Sequence, residues 1–297
     1  MAAGTVFALR SGETSQPVAG ATVALSALSP AGMFSTAYAT DIAGQFRIDR
    51  AVLLSPTPLL EVTAPGFLVR STILRRDETT TSLWPTSSPT GLDEVFSSAL
   101  VYSAAACPAV NTGTAPLRKM PSSTTTVNVS FDSTLQDAAA ENAHRQAINR
   151  MNAALGGLHQ YQFTTTTGQG VSFTAGIDAS AATCTAGPEP LRAATVLNMA
   201  NGSIVGGRLI YCSVEAARSV ALVLHELGHT FGLRHSLSSS DVMYCTSGRP
   251  ASFSPREALA MKLIGQRRTG TRWPDNDRDT AGPLARSSQT EVIACGV

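Results

Sequence analysis

The stretch His225-Glu226-Leu227-Gly228-His229, followed by Gly232 and His235, constrains this chain more than any other feature of its 297 residues. Residues four apart on a helix project from one face, one turn above the other, so a helical segment lets His225 and His229 grip a single ion. Gly232 can take positive φ at no steric cost, so the helix is expected to end there and the chain to turn back, bringing His235 to the same ion. Three neutral imidazoles suit zinc, and three protein ligands leave a position open, as a catalytic rather than a structural site requires. The chain has five histidines in all. The other two, His144 and His159, read as core or surface residues without a metal role.

Charge gives no sign of a polyanionic partner: 22 basic residues against 21 acidic ones leave a net of +1 with no block of like charge, so nucleic-acid binding is not expected. No apolar run approaches the ~20 residues needed to span a bilayer, and the first residues lack the basic and apolar regions of a signal peptide. Only 14% of residues are charged, and long stretches are rich in Ser, Thr, Ala and Gly, a mixture commoner outside the cell than in cytosolic enzymes. Five cysteines (Cys107, Cys184, Cys212, Cys245, Cys295) are widely spaced with no CxxC pair, which reads as up to two disulfides formed in an oxidising compartment. A secreted or extracellular protein is expected, its export signal absent from this chain. The length favours two domains over one.

From Gly4 to about Arg76 short alternating apolar runs (Thr22 to Leu25, Gln45 to Ile48, Leu59 to Thr63, Leu68 to Leu74) are separated by Gly, Pro, Ser and Asp, the signature of a small β-sandwich. A further strand fits Thr79 to Trp84. The punctuation Pro17-Val18-Ala19-Gly20-Ala21-Thr22-Val23, Thr40-Asp41-Ile42-Ala43-Gly44-Gln45-Phe46 and Ala64-Pro65-Gly66-Phe67 resembles the carboxypeptidase regulatory-like domain, which is related in fold to transthyretin. That resemblance implies a prealbumin-like sandwich over residues 1–86 with no catalysis of its own. A turn-rich boundary from Pro85 to Gly91 opens a linker over 87–117, within which Leu92 to Val101 could form a short helix.

Residues 118–297 read as an α+β domain. A strand is expected over Thr125 to Phe131 and a helix over Leu135 to Leu155, stopped by Gly156-Gly157. Strands follow at Gln160 to Thr165, Val171 to Ile177, Ala194 to Met199 and Gly207 to Cys212, then a helix from near Ser213 that carries the histidines. Ser254-Pro255-Arg256-Glu257 forms a capping box for a last helix to about Gln266, with Leu259, Leu263 and Ile264 toward the core and its arginines on a solvated face.

The run from His225 to His235 matches the metzincin metalloprotease motif at every defining position, and Met243, eight residues after His235, falls where matrixins place their Met-turn. Ser236 and Tyr244 are also matrixin-like, whereas Cys245 stands where astacins and serralysins have a zinc-binding tyrosine. No histidine and aspartate pattern for further structural metals is present, and no Pro-Arg-Cys-Gly segment for a cysteine switch. The resemblance implies a zincin-like catalytic domain that holds one catalytic zinc ion on His225, His229 and His235, with Glu226 as catalytic base and Met243 packed beneath the metal. It also implies that an extended substrate pairs with an edge strand, here Ala194, Thr195, Val196 and Leu197, and that Thr246 to Phe253 walls the pocket beyond the cut bond.

Two further expectations concern covalent and ionic links. Cys212 lies thirteen residues before His225 while Cys245 sits by the metal, so Cys184 with Cys212 is the favoured disulfide; Cys245 with Cys107 or Cys295 stays open. The alternating carboxylates of Asp275-Asn276-Asp277-Arg278-Asp279 could cradle calcium. The function expected is a zinc endopeptidase acting on a protein or peptide substrate outside the cell, of unknown oligomeric state. The alternatives are a surface- or polymer-binding protein with a vestigial zinc site, and a zinc hydrolase of a non-protein substrate.

Overall fold

Alternation in the N-terminal quarter of the chain is realised as two small sheets. The computed structural model describes residues 2–8, 16–29, 32–48, 58–73, 80–83, 92–103, 115–165, 170–185, 192–277 and 288–295. The strands are β1 (Ala2–Ala8), β2 (Gln16–Pro17), β3 (Thr22–Ser29), β4 (Gly32–Ala39), β5 (Gln45–Ile48), β6 (Leu59–Thr63), β7 (Arg70–Ile73) and β8 (Thr80–Leu83); β3 and β5 to β8 fall on the expected runs, whereas β1, β2 and β4 were not among them. One sheet is ordered β2-β1-β5, with β8 pairing parallel to β1; the other is ordered β4-β3-β6-β7. Every second residue of β5 is buried, and Val6, Val23, Leu25, Phe46, Ile48, Leu60, Val62 and Leu83 from both sheets form one apolar cluster. Leu74 and residues 84–91, the expected turn-rich boundary, lie outside the described residues.

A larger core begins with α1 (Glu94–Tyr102), capped by the Asp93 carboxylate accepting from the Phe96 N–H. This helix falls within the segment expected to be a linker. Phe96, Leu100, Val101 and Tyr102 are nonetheless buried in the same cluster as the helix of the histidines. After it come β9 (Thr126–Phe131), α2 (Ala138–Leu155), β10 (Gln160–Phe163), β11 (Val171–Ile177), α3 (Ala182–Thr185), β12 (Ala193–Ala200), β13 (Ser203–Tyr211), α4 (Val214–Arg218), α5 (Val220–Phe231), α6 (Pro255–Gly265) and β14 (Gln289–Cys295). Gly156, at φ 58°, closes α2. The strands form a six-stranded sheet in the order β10-β9-β11-β13-β12-β14, parallel through β13 and antiparallel at β12 and β14. Helix α2 packs against α5, which in turn packs on β12 and β13. The part after residue 92 is therefore a mixed sheet covered by helices, an α+β arrangement.

Several expectations need correction. The single helix expected from Ser213 is two, because Ser219 both ends α4 and caps α5, its hydroxyl accepting from the Leu222 N–H. Residues Ala194, Thr195, Val196 and Leu197 are not at a sheet edge: β14 pairs with β12 along its length, from Ala193 opposite Cys295 to Met199 opposite Gln289. The arginines of the last helix are not a solvated face. Arg256 binds the buried Asp241 carboxylate (2.6 Å), and Arg267, just past the helix, is buried in a two-point pair with Asp275 (2.8 and 2.7 Å). The expected calcium loop is likewise taken up by cations: Asp275 also meets Arg70 of β7, whose other nitrogen binds Asp277 (2.7 Å). Asp279 lies outside the described residues. The Cys184–Cys212 disulfide is present, with Cα atoms 5.3 Å apart. Cys245 is also disulfide-bonded, to a cysteine outside the described side chains.

Candidate metal centre

Helix α5 brings His225 and His229 onto one face by their spacing of four, and Gly232 does what its lack of a side chain permits. Its φ is 111°, its N–H closes on the Gly228 and His229 carbonyls, and a Cβ there would sit 1.9 Å from the Arg118 carbonyl oxygen. A strained φ and a backbone collision would coincide in Gly232→Ala. We expect this variant to lose roughly 2–5 kcal/mol, measurable by urea denaturation, and its metal affinity with it. An unchanged midpoint would show that the turn is not needed.

Beyond the turn His235 returns to the helix. The three histidines are buried, and one ring nitrogen from each lies within 4.8 Å of the others. They form the one such His, Cys, Asp and Glu cluster found among the described residues. His225 Nδ1 contacts the Val242 carbonyl (2.7 Å), and His229 Nδ1 the Leu233 carbonyl (2.8 Å). A carbonyl only accepts, so both Nδ1 atoms carry the proton and both Nε2 atoms present lone pairs. Burial, then the charge of Arg249 and the neighbouring imidazoles, hold His225 well below its usual pKa; burial, then His235, does the same for His229. Both rings are neutral near pH 7.

The two Nε2 atoms nevertheless lie 3.0 Å apart. Neither can donate to the other, so this approach suits a shared Lewis acid better than a hydrogen bond. Two nitrogens bound tetrahedrally to zinc at about 2.0–2.1 Å would stand roughly 3.3–3.4 Å apart, close to what is seen. The donor set therefore fits a zinc ion.

Glu226 is on the same helix and is fully buried; the Thr195 hydroxyl of β12 donates to its Oε2 (2.6 Å). The expected role of Thr195 concerns only its backbone, in pairing with substrate. Nothing in the linear pattern ties it to a residue thirty-one positions later, because only the packing of α5 on β12 makes the contact.

Met243 is buried directly under the helix, its Sδ 2.3 Å from where a Gly228 Cβ would be, so the small residue between the two histidines is what admits the methionine. The turn is held by Ser236, whose N–H donates to the Met243 carbonyl (2.7 Å), and by a bridge between Ser236 and Tyr244. Asp241 adds bonds to the Ser236 hydroxyl and to Arg256. Tyr244, which follows the methionine directly, is half-buried.

Glu257, anticipated only as the capping-box residue of α6, also supports the turn. Its carboxylate accepts from the Val242 and Met243 N–H groups (3.2 and 2.8 Å) as well as from Ser254 (2.7 Å). Burial, then the nearby Asp241, push it up from 4.5 to about 7. The folded state thus holds this proton in a range where the unfolded chain has released it. Its contribution to stability is present below about pH 4.5, and is lost as pH rises through about 7. His144, hydrogen-bonded to Tyr211 and pushed down to about 4 mainly by burial, acts in the opposite sense. The cleaner readout is the wild-type stability minus that of Glu257→Gln, expected to fall between pH 4.5 and 7; a flat difference would refute the assignment.

No protein-family model and no curated protein matches the chain. Among solved structures, the crystal structure of metalloproteinase-II from Bacteroides fragilis is similar over 88% of this chain and 84% of that one, at 12% identity and a TM-score of 0.32. So distant a likeness carries no argument, and the geometry of the three histidines stands by itself as the ground for a metal centre.

Proposed function

We propose that the protein is a metzincin-like zinc endopeptidase that hydrolyses peptide bonds of extracellular proteins. The observation that carries this reading is the convergence of three buried imidazoles, two of them on one helix with a buried glutamate. Bound to His225, His229 and His235, zinc supplies a Lewis acid that polarises a carbonyl and makes water acidic enough to react near neutral pH. Glu226 takes a proton from the attacking water on its carboxylate and passes it to the leaving amine. Thr195 orients that carboxylate through its hydroxyl. The Val242 and Leu233 carbonyls fix the tautomers of the His225 and His229 rings, so that neither needs to reorganise. Met243 fills the space beneath them.

Disulfide bonding at Cys184, Cys212 and Cys245 supports work outside the reducing cytosol. No helix among the described residues is long and apolar enough to cross a membrane. The two small N-terminal sheets have no part in this chemistry, and we assign residues 1–86 to a prealbumin-like accessory domain. Elemental analysis and casein digestion test the main reading. About one zinc per chain is expected, with digestion abolished by a chelator and restored by zinc; a zinc-loaded protein that leaves casein and gelatin intact would sink it.

A further inference from the structure

Strand β12 brings Thr195 to Glu226, so the position one strand beyond β12 is where an extended polypeptide would have its backbone paired while lying across the metal centre. The protein fills that position with its own C-terminal segment. Strand β14 runs antiparallel to β12, with Ile293 opposite Thr195 and Glu291 opposite Leu197. Cross-strand partners share a face of the sheet, so Ile293 and Glu291 point to the side that carries α5. Ile293 is fully buried in the main core, whereas its neighbour Val292, on the other face, is 52% exposed. Glu291 forms an ion pair with the buried guanidinium of Arg234, the residue immediately before His235 (2.5 Å).

We infer that β14 is an internal occupant of the substrate position: it holds the strand edge above the metal centre closed, and polypeptide gains access when β14 is displaced. The inference rests on the endopeptidase reading of this site. It explains why the strand nearest Glu226 offers no free edge, and it gives Arg234 a role in latching the occupant to the ligand loop. Sheet pairing, one buried isoleucine and one ion pair secure this strand without making it part of the catalytic machinery.

The test uses full-length protein with Glu226→Gln, which is designed to bind polypeptide without cutting it, loaded with zinc. Two changes loosen β14: Glu291→Arg turns the latch into a repulsion, and Ile293→Asp places a charge in the core. Binding of fluorescein-labelled casein, followed by anisotropy, should tighten about tenfold or more, as when a competent state held to roughly a tenth or less of the population is freed. Amide hydrogen exchange over residues 193–200 should accelerate in parallel. Should Ile293→Asp fail to fold, Glu291→Arg decides, because its side chain is partly exposed. Unchanged binding in a folded variant overturns the inference, and weaker binding does so too, by showing that β14 is itself the docking edge. With Glu226 intact, kcat/KM for casein should rise by a similar factor. Tighter binding with no cleavage in any form would keep the occupant and sink the endopeptidase; equal binding with equal cleavage would do the reverse.

Discussion

Replacing Glu226 by glutamine should leave the protein folded and its zinc in place, and slow casein hydrolysis by roughly 10²–10⁴-fold, the usual worth of a positioned general base. The expectation follows from position. Glu226 lies between the two helical histidines in sequence but is held by Thr195 from the sheet side, so its loss removes a proton acceptor and no ligand nitrogen. Glutamine keeps the shape and still accepts from the Thr195 hydroxyl, while having no basicity at neutral pH. Zinc content by elemental analysis should stay near one per chain, which separates this outcome from loss of the metal. Thr195→Val should give a smaller loss, in kcat more than in KM, because it only frees the carboxylate to turn. Wild-type rates in Glu226→Gln would remove the residue from the mechanism.

Asp275→Ala should produce the largest loss of stability, about 3–5 kcal/mol, since removing one partner of a buried ion pair strands the other charge. Here two guanidinium groups would lose a carboxylate, and Arg267 would be left without one. Arg267 makes a two-point pair with Asp275, and Arg70 reaches the same carboxylate at 3.3 Å; all three side chains are nearly or fully buried. Asp277 would still hold Arg70 but is too committed to replace the bond to Arg267. Backbone links run alongside: Ser71 donates to the Asp275 carbonyl and Asp277 to the Ser71 carbonyl (3.1 and 3.0 Å). Because Arg70 belongs to the N-terminal sheets and Arg267 follows α6, the defect should also loosen the two parts from each other. Urea denaturation should show a lower midpoint; a midpoint within error of wild type would refute the assignment.

The sequence by itself determined many of the local elements and which histidines converge. Both follow from spacing within a few turns of chain: i and i+4 for His225 and His229, the capping box at Ser254 and Glu257, the period of two in Gln45–Ile48, and a glycine where φ must be positive. The Cys184–Cys212 pair matches the expectation, although the single helix from which it was argued is two. Tertiary structure alone decided everything that depends on pairing over long separations. The capping-box Glu257 also clamps the turn of Met243, an acidic loop is neutralised by Arg70 from two hundred residues earlier, and α1 is part of the core. Above all, β12 is covered by β14. An edge and an interior strand alternate alike when one face is solvated, so hydrophobic pattern shows that a strand exists and which residues face inward, but not which strand lies beside it.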